Sequence, residues 1–276
     1  MQQPNLPLSD ADIRQFITEG YVRLSNAFPR ELALEAQDIL WKEMNLRPDA
    51  PSDWKAPVVW LGEHTQEPFV KAANTPVLHA AFDQLVGPER WAPRQSVGTF
   101  PIRFPGNEDT GDDGWHVDVS FPGYEAAKDP GNYFKWRSNL HSKGRALLML
   151  FLFSDIGEND APTRLRAGSH LDVAKMLRPH GDKGLTALQI AEKVSHTAHR
   201  PQALATGEAG TVYLCHPFLV HAAQKHRGTQ PRFLAQPGLF PKKPFSLFNK
   251  ENHYNAVESA IRLGIGLDKE VRAVQA

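Results

Sequence analysis

From about residue 92 the chain is a succession of short apolar or alternating runs, at 97–104, 115–121, 146–154, 163–167, 210–220 and 232–240, divided by clusters of Gly, Pro and Asp. Runs of this length, bounded by turn formers and without a helix between each pair, favour antiparallel sheets over alternating β–α units. They predict a sandwich or barrel. One helix is expected to interrupt them over 185–195, where Leu185, Leu188, Ile190, Ala191 and Val194 fall at near-helical spacing.

The N-terminal part reads differently. Ser9 and Asp12 form a capping-box pattern, Ile13, Phe16 and Ile17 follow at helical spacing, and Gly20 can close the helix. Tyr21–Leu24 reads as a short strand. A second helix is expected from about Pro29, carried by Leu32, Leu34, Ala36, Ile39, Leu40 and Met44. Residues 46–75 show no clear period. No repeat, low-complexity tract or linker divides the chain. One domain over 1–276 is expected: helical support over 1–90, a β core over 91–245 and a C-terminal extension over 246–276.

Bulk properties remove several classes. Lys plus Arg equals Asp plus Glu at 31 each, so no net field draws the chain to nucleic acid or an anionic membrane. The single cysteine, Cys215, excludes an internal disulfide or a multi-thiolate metal site, and its apolar run makes it a small buried hydrophobe. The N-terminus lacks a signal-peptide pattern, and the longest apolar run, 146–153, is far short of the roughly 20 residues that span a bilayer. A soluble, cytoplasmic protein is expected.

The chemistry concentrates in the histidines. His-x-Asp occurs three times, as His116/Asp118, His170/Asp172 and His180/Asp182. Only His116 and Asp118 lie in a strand-like run, Trp-His-Val-Asp-Val-Ser, where alternation puts both side chains on one face. Asp172 reads as a residue of a helix's first turn, and His180/Asp182 as a solvated turn. A metal site needs a third ligand from elsewhere, and the run from Gly210 offers His216 and His221, with His226 beyond. Arg232 stands eleven residues after His221.

This ordered set, His116-x-Asp118, then His-Pro-x-x-Val-His221, then Arg232, resembles the phytanoyl-CoA dioxygenase family of iron(II)- and 2-oxoglutarate-dependent oxygenases. Phe16-Ile-Thr-Glu-Gly-Tyr-Val-Arg-Leu, Arg103-Phe-Pro-Gly and Asn159-Asp-Ala-Pro-Thr-Arg-Leu-Arg-Ala-Gly-Ser-His170 are similar to three further family segments in the same order. The resemblance covers residues 16 to about 240. It implies a mainly β fold with α-helices: a double-stranded β-helix (jelly-roll, cupin-like) sandwich with the N-terminal helices packed on one sheet. It implies Fe(II) held by His116, Asp118 and His221, with 2-oxoglutarate as cosubstrate and O2 as oxidant. Arg232 would hold the distal carboxylate of 2-oxoglutarate, and Thr99 falls where the family contacts the cosubstrate. The implied reaction oxidises a C–H bond of a small organic metabolite, hydroxylation by default, and releases succinate and CO2. Asp118 stands where halogenating relatives carry a small residue, which favours oxygen chemistry.

Ala223 departs from the family, which often has a hydroxyl residue two places after the distal histidine. His216 is the alternative third ligand, although five residues from His221 it would face the other side of a regular strand. Arg103 is a candidate second carboxylate or substrate contact. Thr163 and Arg166 are candidates to line the pocket, and His170 to make supporting or turn contacts. The 119–145 segment, with Tyr124, Tyr133, Phe134 and Trp136, is a candidate substrate lid. The competing class is a non-oxidative metal-binding jelly roll, either a zinc-type hydrolase or a sugar-binding module, in which Arg232 has no dicarboxylate to hold.

Overall fold

The structure, a computed structural model, describes residues 6–106, 108–123, 128–129 and 131–271. Tyr124 lies outside them. Helix α1 (Asp10–Glu19) opens on the Ser9–Asp12 capping box, in which Ser9 Oγ accepts from Asp12 N and the Asp12 carboxylate accepts from Ser9 N at 2.8 Å. Gly20, at φ +86°, turns the chain out of the helix, and a side chain there would strike His170 and Leu219. β1 (Tyr21–Leu24) and α2 (Arg30–Met44) follow where the sequence places them.

The stretch read as aperiodic contains β2 (Val58–Leu61) and α3 (Glu67–Ala73), and α4 (Pro76–Val86) follows. Then come β3 (Trp91–Ala92), β4 (Phe100–Arg103), β5 (Phe121–Pro122), β6 (Trp136–Ser138), β7 (Leu147–Leu152) and β8 (Arg164–Arg166). The remaining elements are α5 (Ser169–Leu177), β9 (Leu185–Thr186), α6 (Ala187–Ala191), β10 (Gln202–Leu204), β11 (Val212–Cys215), β12 (His221–Ala222), β13 (Leu234–Ala235), β14 (Gly238–Pro241) and α7 (Ala256–Gly264).

The helix expected over 185–195 is thus only five residues long. Leu185 and Thr186 are drawn into a ladder with β6, and the Thr186 side chain then caps α6. The longer interrupting helix is α5, which opens directly after Gly168.

Among the described residues all strand pairings are antiparallel. The main sheet runs β1-β11-β7-β14-β3, with β13 also on β7; a second runs β10-β8-β12, and smaller ones are β2-β4 and β5-β6-β9. β7 is buried along its whole length, and alternation splits it between two layers. Leu147, Met149 and Phe151 pack with Phe16 of α1, Phe28 ahead of α2 and other residues of the N-terminal layer. Leu148, Leu150 and Leu152 pack with Leu165 of β8, Leu219 and Leu234 in an inner layer between the main and second sheets. Removing one such side chain costs about 2–5 kcal/mol. Among the described residues, no helix is long and apolar enough to cross a membrane.

Candidate metal centre

The inner layer decides which side chains can meet. His221 pairs with Leu165 in the β12–β8 ladder, so both project from the same face, toward the inner layer. His116 in turn exchanges both backbone hydrogen bonds with His221, each 3.0 Å, and shares that face. The segment after His116 continues extended but is not a regular strand. His116 belongs to the β12 edge, whereas Ser120 N donates to Arg137 O of β6, so the segment divides its bonds between two ladders.

The two imidazole centroids lie 4.3 Å apart. Asp118 Oδ1 is 3.8 Å from His116 Nε2 and 3.9 Å from His221 Nε2, and a ligand atom from each residue lies within 4.8 Å of the other two. The other ring nitrogens are occupied. His116 Nδ1 is 2.8 Å from Gly114 O, and His221 Nδ1 is 3.0 Å from Leu219 O. A carbonyl can only accept, so each Nδ1 carries the proton and each Nε2 turns a lone pair toward Asp118.

Protonation is set the same way. Burial, helped by neighbouring His116, pushes His221 down to about 4. Burial pushes the Asp118 carboxyl up, but the Arg145 guanidinium and the two imidazoles outweigh it, and the net shift is downward. At neutral pH His221 is thus a neutral imidazole and Asp118 a carboxylate, and with His116 they make a donor set for a divalent ion with open positions. His116 is the exposed member, its side chain 44% accessible against 2% for His221.

A second polar group opens on the same layer. Leu234 faces the inner layer, so Arg232, two residues earlier on extended chain, shares its face. Arg232 and Arg103 exchange backbone hydrogen bonds of 3.2 and 2.8 Å, which sets two buried guanidiniums side by side. Arg232 donates to Ala161 O at 2.6 Å and Pro101 O at 3.1 Å; Arg103 donates to Thr110 Oγ1 and Asp112. The Nε of each is buried without a hydrogen-bond partner. Burial, then Arg103, lowers Arg232 to about 9. One carboxylate, Asp112, thus serves two cations. Asp112 lies four positions before His116, so their α-carbons are no more than about 14 Å apart.

The remaining candidates take other places. Thr99 is exposed, immediately before β4. Thr163 is buried, with Gln236 Nε2 3.5 Å from its hydroxyl. Arg166 bonds Val194 O and Thr197 and stacks 4.1 Å over Trp115, so it braces the residue before His116. His170 and His216 lie tilted against each other, centroids 4.8 Å apart, outside the Asp118 trio. His226 is buried rather than an open loop residue; its Nδ1 accepts from Gly228 N. The Ala223 carbonyl accepts from Arg164.

The 119–145 segment carries structure of its own. β6 pairs with β5 on one side and β9 on the other, Arg137 donates to Lys183 O and Gly184 O, and Tyr133 Oη accepts from Val119 N at 3.1 Å. Trp136 packs on the core, while Phe134 is exposed. An open cleft of about 660 Å³ flanks this flap between Phe121, Arg137, Lys143 and Lys183. Sequence reasoning missed Arg145, whose Nη1 lies 3.3 Å from Asp118 Oδ2. Its signal was a cation at the head of the most apolar run in the chain.

Comparison with known proteins agrees with this geometry at the level of fold. No family model matches the sequence, and no curated protein does. Among solved structures, the chain is similar to GlcNAc Inducible Gene 2 (GIG2, DUF1479) from Candida albicans, with TM-score 0.60 and 13% identity over 98% of this chain and 78% of that one. It is similar to HygX from Streptomyces hygroscopicus, solved with nickel and 2-oxoglutarate bound, with TM-score 0.54 and 15% identity over 87% and 90% of the chains. It is also similar to the epimerase SnoN in complex with Fe3+, alpha ketoglutarate and nogalamycin RO, with TM-score 0.56 and 16% identity over 84% and 82%. The chain therefore shares the fold of non-haem iron, 2-oxoglutarate-dependent enzymes.

Proposed function

We propose that this protein is an Fe(II)- and 2-oxoglutarate-dependent oxygenase of the phytanoyl-CoA dioxygenase type. In this reading the main and second sheets form a double-stranded β-helix, and the substrate is a small organic molecule oxidised at a C–H bond. The observation that carries the reading is the meeting of His116, Asp118 and His221, with both Nδ1 atoms tied to backbone carbonyls and both Nε2 atoms left for a metal. The buried Arg103–Arg232 pair supports it, because two guanidiniums sharing one carboxylate suit a further anion.

When bound, ferrous iron with 2-oxoglutarate and dioxygen supplies the oxidising power, releasing succinate and CO2. The chain's part is placement. His116, Asp118 and His221 hold the ion from one side. Arg232 binds the distal carboxylate of the cosubstrate, with Arg103 and Thr99 beside it. Little water reaches the guanidiniums to screen them, which strengthens that contact. The flap carrying Tyr133 and Trp136 bounds the substrate space and keeps bulk water from it.

Aerobic incubation with Fe(II) and labelled 2-oxoglutarate tests the reading. Succinate is expected with wild type, and Arg232→Met is expected to raise the KM for 2-oxoglutarate by roughly 10- to 100-fold, as for a lost charge-assisted bond. Absence of succinate from a verified iron-loaded sample across varied substrates would sink the proposal.

A further inference from the structure

Arg145 is not explained by the metal centre. Its Nη1 stands 3.3 Å from Asp118 Oδ2, yet Nη1 and Nε are both buried with no hydrogen-bond partner, so the ion pair is off-axis. The side chain is only 15% exposed, and little water can reach it. A buried guanidinium with unmatched N–H groups is unfavourable. Beside a divalent cation it is more so, because it repels the ion and competes for the same carboxylate. A residue that served only the metal would not be a cation.

The surroundings nonetheless make room for it. A Cβ on Gly238 of β14 would come within 2.8 Å of Arg145 Nη1 and 3.1 Å of its Cζ, so the guanidinium lies against bare backbone. Tyr133, its hydroxyl fixed at Val119 one residue from Asp118, closes the same corner. Charge balance points the same way. At the metal end, a divalent ion is offset by Asp118 and by the chelating carboxylate of 2-oxoglutarate. At the far end, Arg103 and Arg232 are offset by Asp112 and the distal carboxylate. Arg145 is the charge left over.

We propose that Arg145 anchors an oxyanion carried by the substrate, a carboxylate in the first instance, bound beside the metal against Gly238; the inference rests on the oxygenase reading above. The substrate is then an organic acid, oxidised at a carbon within a few bonds of its acid group, since the anchor touches a metal ligand.

The test is anaerobic titration of the Fe(II)- and 2-oxoglutarate-loaded protein with benzoate and with its neutral isostere benzamide. Binding is read by calorimetry and by the visible charge-transfer band of the iron–2-oxoglutarate complex. Benzoate is expected to perturb the band and to bind about tenfold or more tightly than benzamide. Arg145→Met is expected to remove that preference and Arg145→Lys to restore part of it. Gly238→Ala, which pushes a methyl group onto the guanidinium, should weaken benzoate while the arginine remains. If Arg145→Met does not fold, the wild-type pair and Gly238→Ala decide. Equal binding of benzoate and benzamide, or no binding of either, overturns the proposal. So does an Arg145→Met protein that loses 2-oxoglutarate as strongly as benzoate, which would assign the arginine to the cosubstrate. A wild type that shows no charge-transfer band would sink the oxygenase reading by itself. Calorimetry on that sample would still report the benzoate preference, so the two failures are distinguishable.

Discussion

Among the described residues two pairs of histidine rings lie tilted against each other, and only one has the makings of a metal site. His116 and His221 have centroids 4.3 Å apart; His170 and His216 are 4.8 Å apart. The difference lies in what the backbone does to the nitrogens. In the first pair both Nδ1 atoms face carbonyls, and both Nε2 atoms converge on Asp118. In the second, His170 Nε2 faces Ile17 O, His216 Nδ1 accepts from Phe218 N, and His216 Nε2 is 3.4 Å from Val257 O. The second pair spends three of its four ring nitrogens on the fold, tying α5 to α1 and the turn before β12 to α7, while His170 Nδ1 is buried without a partner. Proximity of imidazoles is therefore not enough; the carbonyl positions and one carboxylate make the distinction.

The largest expected effect breaks the first pair. Asp118→Asn or His221→Phe should lower Fe(II) affinity by more than about 100-fold, the upper end for loss of a mere outer partner, measured by anaerobic equilibrium dialysis. Acid should also act on the second pair, as it does on His221 of the first. Burial holds His170 and His216 neutral in the fold, His170 down to about 4, whereas unfolded histidine titrates near 6.5. Between those values the unfolded chain binds more protons. The stability from His170 is thus complete above about pH 6.5 and shrinks as pH falls toward 4, by about 3 kcal/mol. Denaturant melts across that range check it, and a flat profile would contradict it. The smallest effect is His216→Phe. It leaves the buried Phe218 N–H without an acceptor and should cost about 1–3 kcal/mol, with Fe(II) affinity unchanged within about twofold. A loss of iron binding there would erase the contrast between the pairs.

Much of this contrast was legible in the sequence. Alternation placed His116 and Asp118 together, and the resemblance preferred His221 to His216. Local signals with local causes, such as the Ser9 capping box and the apolar run of β7, translated directly into elements. α4 and α7 carry equally plain signals. Thr75 and Pro76 open Leu78, Ala81, Phe82 and Leu85, and the Asn255–Glu258 capping box opens Val257, Ala260 and Ile261. Other features were not legible. That Leu185 would join a sheet depended on β6 lying alongside, and that Arg145 would reach Asp118 depended on a glycine 93 positions later leaving space. Such facts belong to tertiary contacts, and no window of sequence contains them.

The carbonyl clamps on His116 and His221 have a further consequence for handling the protein. A cage already arranged, with neutral nitrogen donors and one oxygen, does not select iron. Affinity for such donors rises through the divalent series from manganese toward copper. Protein eluted from a nickel resin would therefore come off carrying nickel and look inactive until stripped with a chelator. In a cell, supply rather than preference would determine that iron is the occupant.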